Sequence, residues 1–210
     1  MTIIVHHLED SRSQRILWLL EELGVAYEVK RYERDPVTRL APPELRAIHP
    51  LGKSPVIEID GEVLAETGAI FETLLDRYDR EHRLHPAHDH ADFAAHRLWM
   101  HYAEGSAMPP LVMKLIMGRL GDAAAPAMGF VDAQIALHLG YMESVVAQKG
   151  GFLGDILSAA DIIMSFPVEA ANVRANLSQA APALRTWLDK VRSRPGYVAA
   201  LAKGGPYSFA

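Results

Sequence analysis

The stretch that decides the fold is "VHHLEDSRSQRILWLLEEL", residues 5–23. It begins as an apolar strand, turns through residues 10–13, and continues as a helix whose apolar residues recur at helical spacing. Gly24 follows, at the position where a helix C-terminus favours glycine. The turn contains Ser11 and Ser13, and the chain has no cysteine. The two serines are candidates for chemistry, with the alternative that they only begin a helix.

Composition predicts a globular protein with a sizeable core. The chain has 210 residues, of which 50% are hydrophobic and 22% charged. Its formal net charge of -5 argues against a general nucleic-acid binder, which normally carries a basic excess. The sequence contains no apolar run of about 18 residues, and its start lacks the features of a signal peptide. We therefore expect a soluble cytoplasmic protein without a transmembrane segment.

The absence of cysteine limits the available chemistry. It excludes disulfides and every metal site that needs a cysteine ligand. It also argues against enzymes whose own thiol forms a mixed disulfide with a substrate. Any thiol chemistry must use a thiol that arrives with the substrate.

The periodicity predicts an α/β part followed by an all-helical part. The order β-α-β, loop, β-β-α fills the first 80 residues, and Asp60-Gly61 is a favoured hairpin turn. A polar, histidine-rich linker at 81–90 contains Pro86. Helices are then predicted over 91–120, with a break near Gly105, Pro109 and Pro110, and in four further segments: 127–148, after Ser158, after Pro182, and around 198–201. This gives domains at 1–80 and 91–210, and the cleft between them is the first place to expect a ligand.

Five motifs in order carry a family resemblance over the whole chain. They read "SRSQRILWLLEELGVAYE", "HPLGKSPVIEIDG", "LAETGAI", "EGSAMPPL" and "LSAADIIMSFPV". Together they resemble the cytosolic glutathione transferase superfamily, in its serine-type branch of bacteria and fungi. The resemblance implies a thioredoxin-like α/β N-terminal domain that binds glutathione and an all-α C-terminal domain that carries an electrophile site. It also implies a homodimer.

Ser11 has two compatible interpretations. With Gln14 it fits a capping box, in which the serine hydroxyl accepts a backbone hydrogen bond. The hydroxyl proton then remains able to donate. The resemblance implies that Ser11 stabilises the thiolate of bound glutathione, with Ser13 as the second candidate. A hydrogen bond to a charged group, about 1.5–3 kcal/mol, would lower the thiol pKa from about 8.5 by roughly one to two units. The carboxylate of Asp10 would oppose this.

The loop "LGKSPV" is the second predicted glutathione contact. The resemblance implies a cis peptide bond between Ser54 and Pro55, which would expose the Ser54 backbone to the cysteinyl unit of glutathione. Lys53 is a candidate partner for a glutathione carboxylate, and its alternative role is that of a solvated loop lysine.

The "AETG" motif at the start of a helix is the third contact. A helix N-terminus offers N–H groups and a positive dipole to an anion. The resemblance implies that Thr67 donates its hydroxyl to the γ-glutamyl carboxylate and that Glu66 pairs with the ammonium group. The alternative is a structural helix start formed by the same residues.

Three further groups of residues are candidates for a functional or a structural role. Aromatic and methionine side chains along the long helix either line an electrophile site or belong to the core; they are Trp99, Tyr102, Met108, Met113 and Met117. Ser158 and Asp161 fit a structural capping box. Histidines of the linker have no predicted geometry that would bring them together on a metal, so no metal site is expected; they are His82, His85, His88 and His90.

The sequence therefore predicts a glutathione transferase that joins glutathione to small hydrophobic electrophiles, with reduction of organic hydroperoxides as a further activity open to it. The alternative is a non-catalytic binding or assembly module on the same fold. Glutathione serves as co-substrate in the first reading, and a measurement of glutathione binding separates the two.

Overall fold

The computed structural model describes residues 2–209, apart from the side chain of Ser178. Met1 and Ala210, the outer ends of the predicted domains, lie outside the described residues. The chain forms two compact units. The first extends to Arg83 and includes the C-terminal segment from Arg192 onward, and the second is Leu84–Val191.

The first unit contains a four-stranded sheet and four helices. Its elements are β1 (Ile3–Leu8), α1 (Gln14–Leu23), β2 (Glu28–Tyr32), α2 (Glu44–Ile48), β3 (Val56–Ile59), β4 (Glu62–Ala65), α3 (Thr67–Tyr78) and, from the end of the chain, α10 (Pro195–Gly204).

The sheet has the strand order β2-β1-β3-β4. Strand β1 pairs parallel with β2, where Val5 lies opposite Val29, and antiparallel with β3, where Val5 lies opposite Ile57. Strand β4 returns antiparallel to β3. This mixed sheet with its helices confirms the predicted thioredoxin-like fold. Strand β1 runs to Leu8, beyond the apolar stretch, and places His6 and His7 in buried strand positions.

Helix α1 buries its apolar residues and ends as predicted, with Gly24 in the left-handed conformation at φ 68°. Its start differs from the prediction. The N-cap is Ser13, and its side chain makes no capping hydrogen bond. The capping box of Ser11 and Gln14 is therefore wrong. The Ser11 hydroxyl instead accepts from the N–H of Ser13, at 3.3 Å, and the Gln14 side chain is buried.

The second unit is helical. Its elements are α4 (Phe93–Tyr102), a π-helical turn (Ala103–Ala107), α5 (Met108–Leu120), a 3₁₀ turn (Gly121–Ala124), α6 (Ala125–Lys149), α7 (Ala159–Arg174), α8 (Leu177–Ala180) and α9 (Pro182–Arg192). The π-helical turn confirms the predicted break. Pro109 and Pro110 have no N–H, so the regular helical hydrogen bonds to the preceding turn cannot continue. No helix among the described residues is long and apolar enough to cross a membrane.

The capping box at the start of α7 is confirmed. The Ser158 hydroxyl accepts from the N–H of Asp161, and the Asp161 carboxylate accepts from the N–H of Ser158 at 2.9 Å. Asp161 also accepts from the N–H of Phe152 at 3.0 Å and from the indole of Trp187 at 3.2 Å. Burial raises the pKa of Asp161, and these donors oppose the rise. The motif thus joins three segments of the helical unit.

The predicted division of the chain needs correction at its C-terminal end. The prediction placed all of 91–210 in one helical domain, whereas α10 belongs to the first unit and packs against α1. The ring of Tyr197 meets Trp18 edge-on at 5.3 Å, and Arg194 pairs with Glu22 at 3.0 Å. Helical periodicity shows that α10 has an apolar face but does not identify the surface that covers it.

Candidate active site

The serine turn, residues 10–13, follows directly from β1. Asp10 adopts a left-handed conformation, at φ 48°, and Ser11 comes next with only 5% of its surface exposed. The hydroxyl oxygens of Ser11 and Ser13 are 2.7 Å apart. The end of the strand thus places two buried hydroxyls side by side just before α1.

The loop before β3 adjoins this turn. The Ser54–Pro55 peptide bond is cis, as the family resemblance implied. The Ser54 hydroxyl donates to the carbonyl of His6 at 3.0 Å, which fastens the loop to β1, and it lies 3.4 Å from the hydroxyl of Ser11. Two predicted site residues, Ser11 and Ser54, are therefore neighbours. Lys53 is exposed in the same loop.

The start of α3 carries Glu66 and Thr67. Glu66 has φ 72° and ψ 123°, and its exposed side chain makes no capping hydrogen bond, which does not support a capping role. A non-glycine residue in such a conformation costs about 1–3 kcal/mol, and residues of this kind concentrate at ligand sites. Thr67 is buried, and its hydroxyl oxygen accepts from Arg15 at 3.5 Å. The hydroxyl proton of Thr67 can therefore be donated to a ligand.

Arg15 was not predicted as a site residue. It lies in α1, is 1% exposed, and links that helix to Thr67. A signal was available in the sequence, because Arg15 stands beside the most apolar stretch of the helix and a buried arginine needs anionic or polar partners. Among the described residues, a hydrogen bond joins Ser11 to Ser54 and another joins Arg15 to Thr67, whereas none joins Lys53 or Glu66 to the serine turn.

His7 lies beneath the serine turn and is 1% exposed. Its Nδ1 is 2.8 Å from the Ser13 hydroxyl, and its Nε2 faces Gly204 at the end of α10. Burial, assisted by the charge of Arg31, lowers the pKa of His7 to about 4 against the opposing effects of Asp10 and of a hydrogen bond to the Gly204 backbone. His7 is therefore neutral near pH 7.

The carboxylate of Asp10 has partners of its own. Arg39 pairs with it at 3.1 Å, and Ser208 donates to it from the C-terminal tail. These contacts offset the repulsion that a free carboxylate next to Ser11 would exert on a bound anion.

The five side chains that were predicted either to contact an electrophile or to belong to the core differ in their exposure. Trp99 and Met108 are buried, as the core alternative predicts. Tyr102 and Met117 are half-buried, and Met113 is exposed. Tyr102 also makes a hydrogen bond, in which its hydroxyl oxygen lies 2.6 Å from Nδ1 of His138. Burial raises the pKa of Tyr102 to about 12, with a smaller contribution from Tyr141.

The histidines of the linker do not assemble a metal centre in the part of the chain that the structure describes. That part contains no group of three or more histidine, cysteine, aspartate or glutamate side chains placed to hold an ion. The ring of His85 instead lies 6.1 Å from that of His96, and His88 lies 4.3 Å from Phe93.

Comparisons with known proteins agree with this architecture. Residues 2–76 match the family model described as glutathione S-transferase, N-terminal domain. Glutathione S-transferase 1 of Saccharomyces cerevisiae is 34% identical, over 96% of this chain and 94% of the yeast protein.

Solved structures extend the similarity to the whole fold. The crystal structure of a glutathione S-transferase from Actinobacillus pleuropneumoniae is 36% identical with a TM-score of 0.89, covering 99% of this chain and 95% of that one. Ure2p5 from Phanerochaete chrysosporium, cocrystallised with 1-(S-glutathionyl)-2,4-dinitrobenzene, is 18% identical with a TM-score of 0.77 and covers 96% and 94% of the two chains. The last comparison bears on the fold alone.

Proposed function

Because this chain belongs to the cytosolic glutathione transferase superfamily, we propose that it joins the thiol of glutathione to small hydrophobic electrophiles. Its yeast and bacterial relatives, at 34% and 36% identity over nearly the whole chain, are named glutathione S-transferases, and the enzyme class follows from them. The electrophile, the residues of the site and the serine-type branch are parts of the proposal.

Glutathione is proposed to bind across three segments of the first unit. The Ser54 backbone would pair with the cysteinyl unit, beside the cis peptide bond to Pro55. The hydroxyl of Thr67 would donate to the γ-glutamyl carboxylate at the N-terminus of α3, and Glu66 would pair with the ammonium group. Lys53, exposed in the neighbouring loop, would pair with a carboxylate.

Ser11 is proposed to stabilise the glutathione thiolate by donating its hydroxyl proton. The observation that carries this proposal is the position of the Ser11 hydroxyl, 3.4 Å from that of Ser54 in the loop that would hold the cysteinyl unit. The sulfur of the thiolate then attacks an electrophilic carbon. With an aryl halide, the new C–S bond forms and the halide leaves with the electron pair of the broken carbon–halogen bond. Ser11 takes no covalent part.

The electrophile is proposed to contact the helical unit, where Tyr102 and Met117 are half-buried and therefore able to meet a ligand. Methionine adapts to ligands of varied shape. Reduction of organic hydroperoxides is a second proposed activity, since it needs the same thiolate. The sulfur would take the terminal oxygen to give an alcohol and a sulfenic acid, and a second glutathione would give the disulfide and water. Detoxification and a cytoplasmic location remain predictions.

A homodimer is proposed because helices of the second unit expose large apolar side chains. Ile116 and Leu120 on α5 are 50% and 56% exposed, and Phe130 and Leu137 on α6 are 63% and 65% exposed. Covering such a surface is favourable by about 25 cal/mol per Å². Sedimentation equilibrium at micromolar concentration should give twice the chain mass. A single-chain mass would contradict the dimer.

Ser11→Ala is the direct test of the proposed function. Loss of the donor should raise the pKa of bound glutathione by about one to two units. The smaller thiolate fraction at pH 6.5 is partly offset by the higher reactivity of the more basic thiolate, so conjugation of a chromogenic aryl halide should fall by roughly 3- to 10-fold. Ser144→Ala, which removes an exposed hydroxyl from α6, is the control. An unchanged thiol pKa and rate would contradict the role of Ser11. If calorimetry shows no glutathione binding, the alternative of a non-catalytic binding or assembly module on the same fold is favoured instead.

A further inference from the structure

A chain of hydrogen bonds runs inward from Ser11. The oxygens of Ser11 and Ser13 are 2.7 Å apart, and the Ser13 oxygen is 2.8 Å from Nδ1 of His7. All three residues are buried, and Ser13 has no exposed surface. Each hydroxyl can donate only one proton. Once the group at the inner end of the chain is known to donate or to accept, the donor and the acceptor of each hydrogen bond follow from it.

His7 sets that direction. Nε2 is the nitrogen that faces Gly204, since Nδ1 faces Ser13, and a hydrogen bond between the ring and the Gly204 backbone acts to raise the pKa of His7. A carbonyl oxygen can only accept, so the ring proton of a neutral histidine must lie on Nε2. Desolvation keeps the ring neutral near pH 7, and the charge of Arg31 acts in the same sense while Asp10 opposes it. Nδ1 is therefore an acceptor.

The two hydroxyls follow from this. Ser13 must donate its single proton to Nδ1, and it can then only accept from Ser11. The proton of Ser11 then has two acceptors, the Ser13 oxygen at 2.7 Å and the Ser54 oxygen at 3.4 Å, and the contact with Ser13 is the stronger because it has the length of a normal O–H···O hydrogen bond. Ser13 has no second proton to offer a sulfur atom, which removes it as a candidate partner for the thiolate.

We propose that His7 and Ser13 are positioning residues that act through Ser11, by holding its proton so that the Ser13 oxygen and the glutathione sulfur compete for it. This inference rests on the proposed role of Ser11 in glutathione transfer. No proton leaves the chain in this scheme. When glutathione binds, the Ser11 O–H rotates from the Ser13 oxygen to the sulfur, and the Ser13 O–H stays on His7.

The competition has a kinetic consequence. A thiolate held by a shared donor keeps a higher pKa than one held by a free donor. Since nucleophilicity rises with the pKa of a thiol, with a Brønsted coefficient of about 0.4–0.5, the shared donor leaves a more reactive thiolate. His7 and Ser13 thus lower the fraction of bound glutathione that is ionised at low pH, and they raise the reactivity of the thiolate at high pH.

Two variants test this proposal, each of which removes one of the two hydroxyls that lie 2.7 Å apart. They are expected to shift the pKa of bound glutathione in opposite directions. The measurement is the ultraviolet absorbance of the thiolate in glutathione bound to the whole protein, titrated with pH. Ser11→Ala removes the donor and should raise the pKa of bound glutathione by about one to two units. Ser13→Ala removes the competing acceptor and should lower it by about half a unit to one unit. At high pH, where the thiol is fully ionised, the Ser13→Ala chemical step should be about twofold slower.

Substitution of His7 gives a second route to the same answer. In His7→Phe, Ser13 loses its acceptor and turns its proton to the Ser11 oxygen, so the Ser11 proton faces the sulfur and the thiol pKa should again fall. His7→Asn can place a carbonyl oxygen near the position of Nδ1 and should restore the wild-type pKa. A residue that only supports packing would give the same change in both variants.

The outcomes separate the inference from the proposed function. If Ser11→Ala raises the thiol pKa while Ser13→Ala leaves it unchanged or raises it, the competition is refuted and the role of Ser11 stands. If Ser11→Ala has no effect on the thiol pKa, the proposed role of Ser11 fails and the inference fails with it.

Discussion

Ser208, near the end of the chain, donates two hydrogen bonds to the carboxylate of Asp10. Its backbone N–H lies 2.7 Å from one oxygen and its hydroxyl 3.0 Å from the other. Asp10 precedes Ser11 and holds a left-handed conformation, which aspartate adopts more often than most residues other than glycine. The C-terminal tail thus fixes the residue that presents Ser11.

Removal of residues 206–210 should weaken this part of the first unit. The lost contacts include two hydrogen bonds to a carboxylate, and solvent at this edge of the protein reduces their value, so we expect the free energy of unfolding to fall by about 1–2 kcal/mol. Chemical denaturation measures the change. Ser208→Ala removes the hydroxyl alone and should give less than half of the effect. A truncated chain as stable as the full chain would show that the tail does not hold Asp10.

Thr67→Val should weaken glutathione binding. Valine keeps the shape of threonine but cannot donate to the γ-glutamyl carboxylate, and a hydrogen bond to a charged group is worth about 1.5–3 kcal/mol. We therefore expect the dissociation constant for glutathione, measured by calorimetry, to rise by at least about tenfold. Thr67→Ser keeps the hydroxyl and serves as the matched control. Equal affinities of the valine and serine variants would exclude a donor role for Thr67.

The sequence predicted those features that depend on local pattern. Alternating and helical periodicity located the sheet and most helices, Gly24 marked the end of α1, and Ser158 with Asp161 marked the start of α7. The prediction failed where a residue of a local motif makes its hydrogen bonds to residues outside that motif. Ser11 and Gln14 fit a capping box, yet Ser11 pairs with Ser13 and with the loop at Ser54.

Contacts between distant segments could not be predicted from one sequence. Nothing in the pattern of α10 shows that its Gly204 faces His7, or that Arg15 reaches Thr67, because each pair is set by the packing of complete elements. The family resemblance supplied the cis bond at Pro55, which residue statistics alone would not favour. Site residues that belong to the family motifs could therefore be predicted from the sequence. The buried residues that contact them could not.

His96→Phe should make the protein less sensitive to acid. Burial lowers the pKa of His96 to about 4, with help from His85 and Arg97, while the unfolded chain takes up the proton near the ordinary value of 6.5. The unfolded state therefore binds more protons between these values, and stability is lost as the pH falls through this window. The loss amounts to roughly 3 kcal/mol by pH 4.

The phenylalanine variant lacks this titration. Nδ1 of His96 has no hydrogen-bond partner among the described residues, so at pH 7 the variant should lose little stability. At pH 5, denaturant titrations should show it about 2 kcal/mol more stable than the wild type. The remaining acid sensitivity would come in part from His7, whose pKa is also lowered to about 4. His101→Phe, at an exposed position of the same helix, controls for the loss of a helical histidine. Parallel pH profiles of wild type and His96→Phe would disprove the prediction.

Gly204→Ala should disturb the inner end of the hydrogen-bond chain without removing any of its polar groups. A Cβ at Gly204 would lie 2.9 Å from Oε1 of Gln14 and 3.2 Å from Nε2 of His7, so the added methyl group must displace both side chains. If His7 directs Ser13 and thereby Ser11, the displaced ring accepts less well from Ser13, and the pKa of bound glutathione should fall by about half a unit. Gly196→Ala, in the same helix, is the matched control, because its Cβ would crowd α1 at Glu22, 2.7 Å away, and the three atoms nearest to that Cβ all belong to Glu22 and none to His7. Both variants should lower the unfolding temperature, but only Gly204→Ala should shift the thiol pKa. Equal shifts in the two variants would mean that general loosening of α10 against α1, rather than the orientation of His7, controls the thiolate.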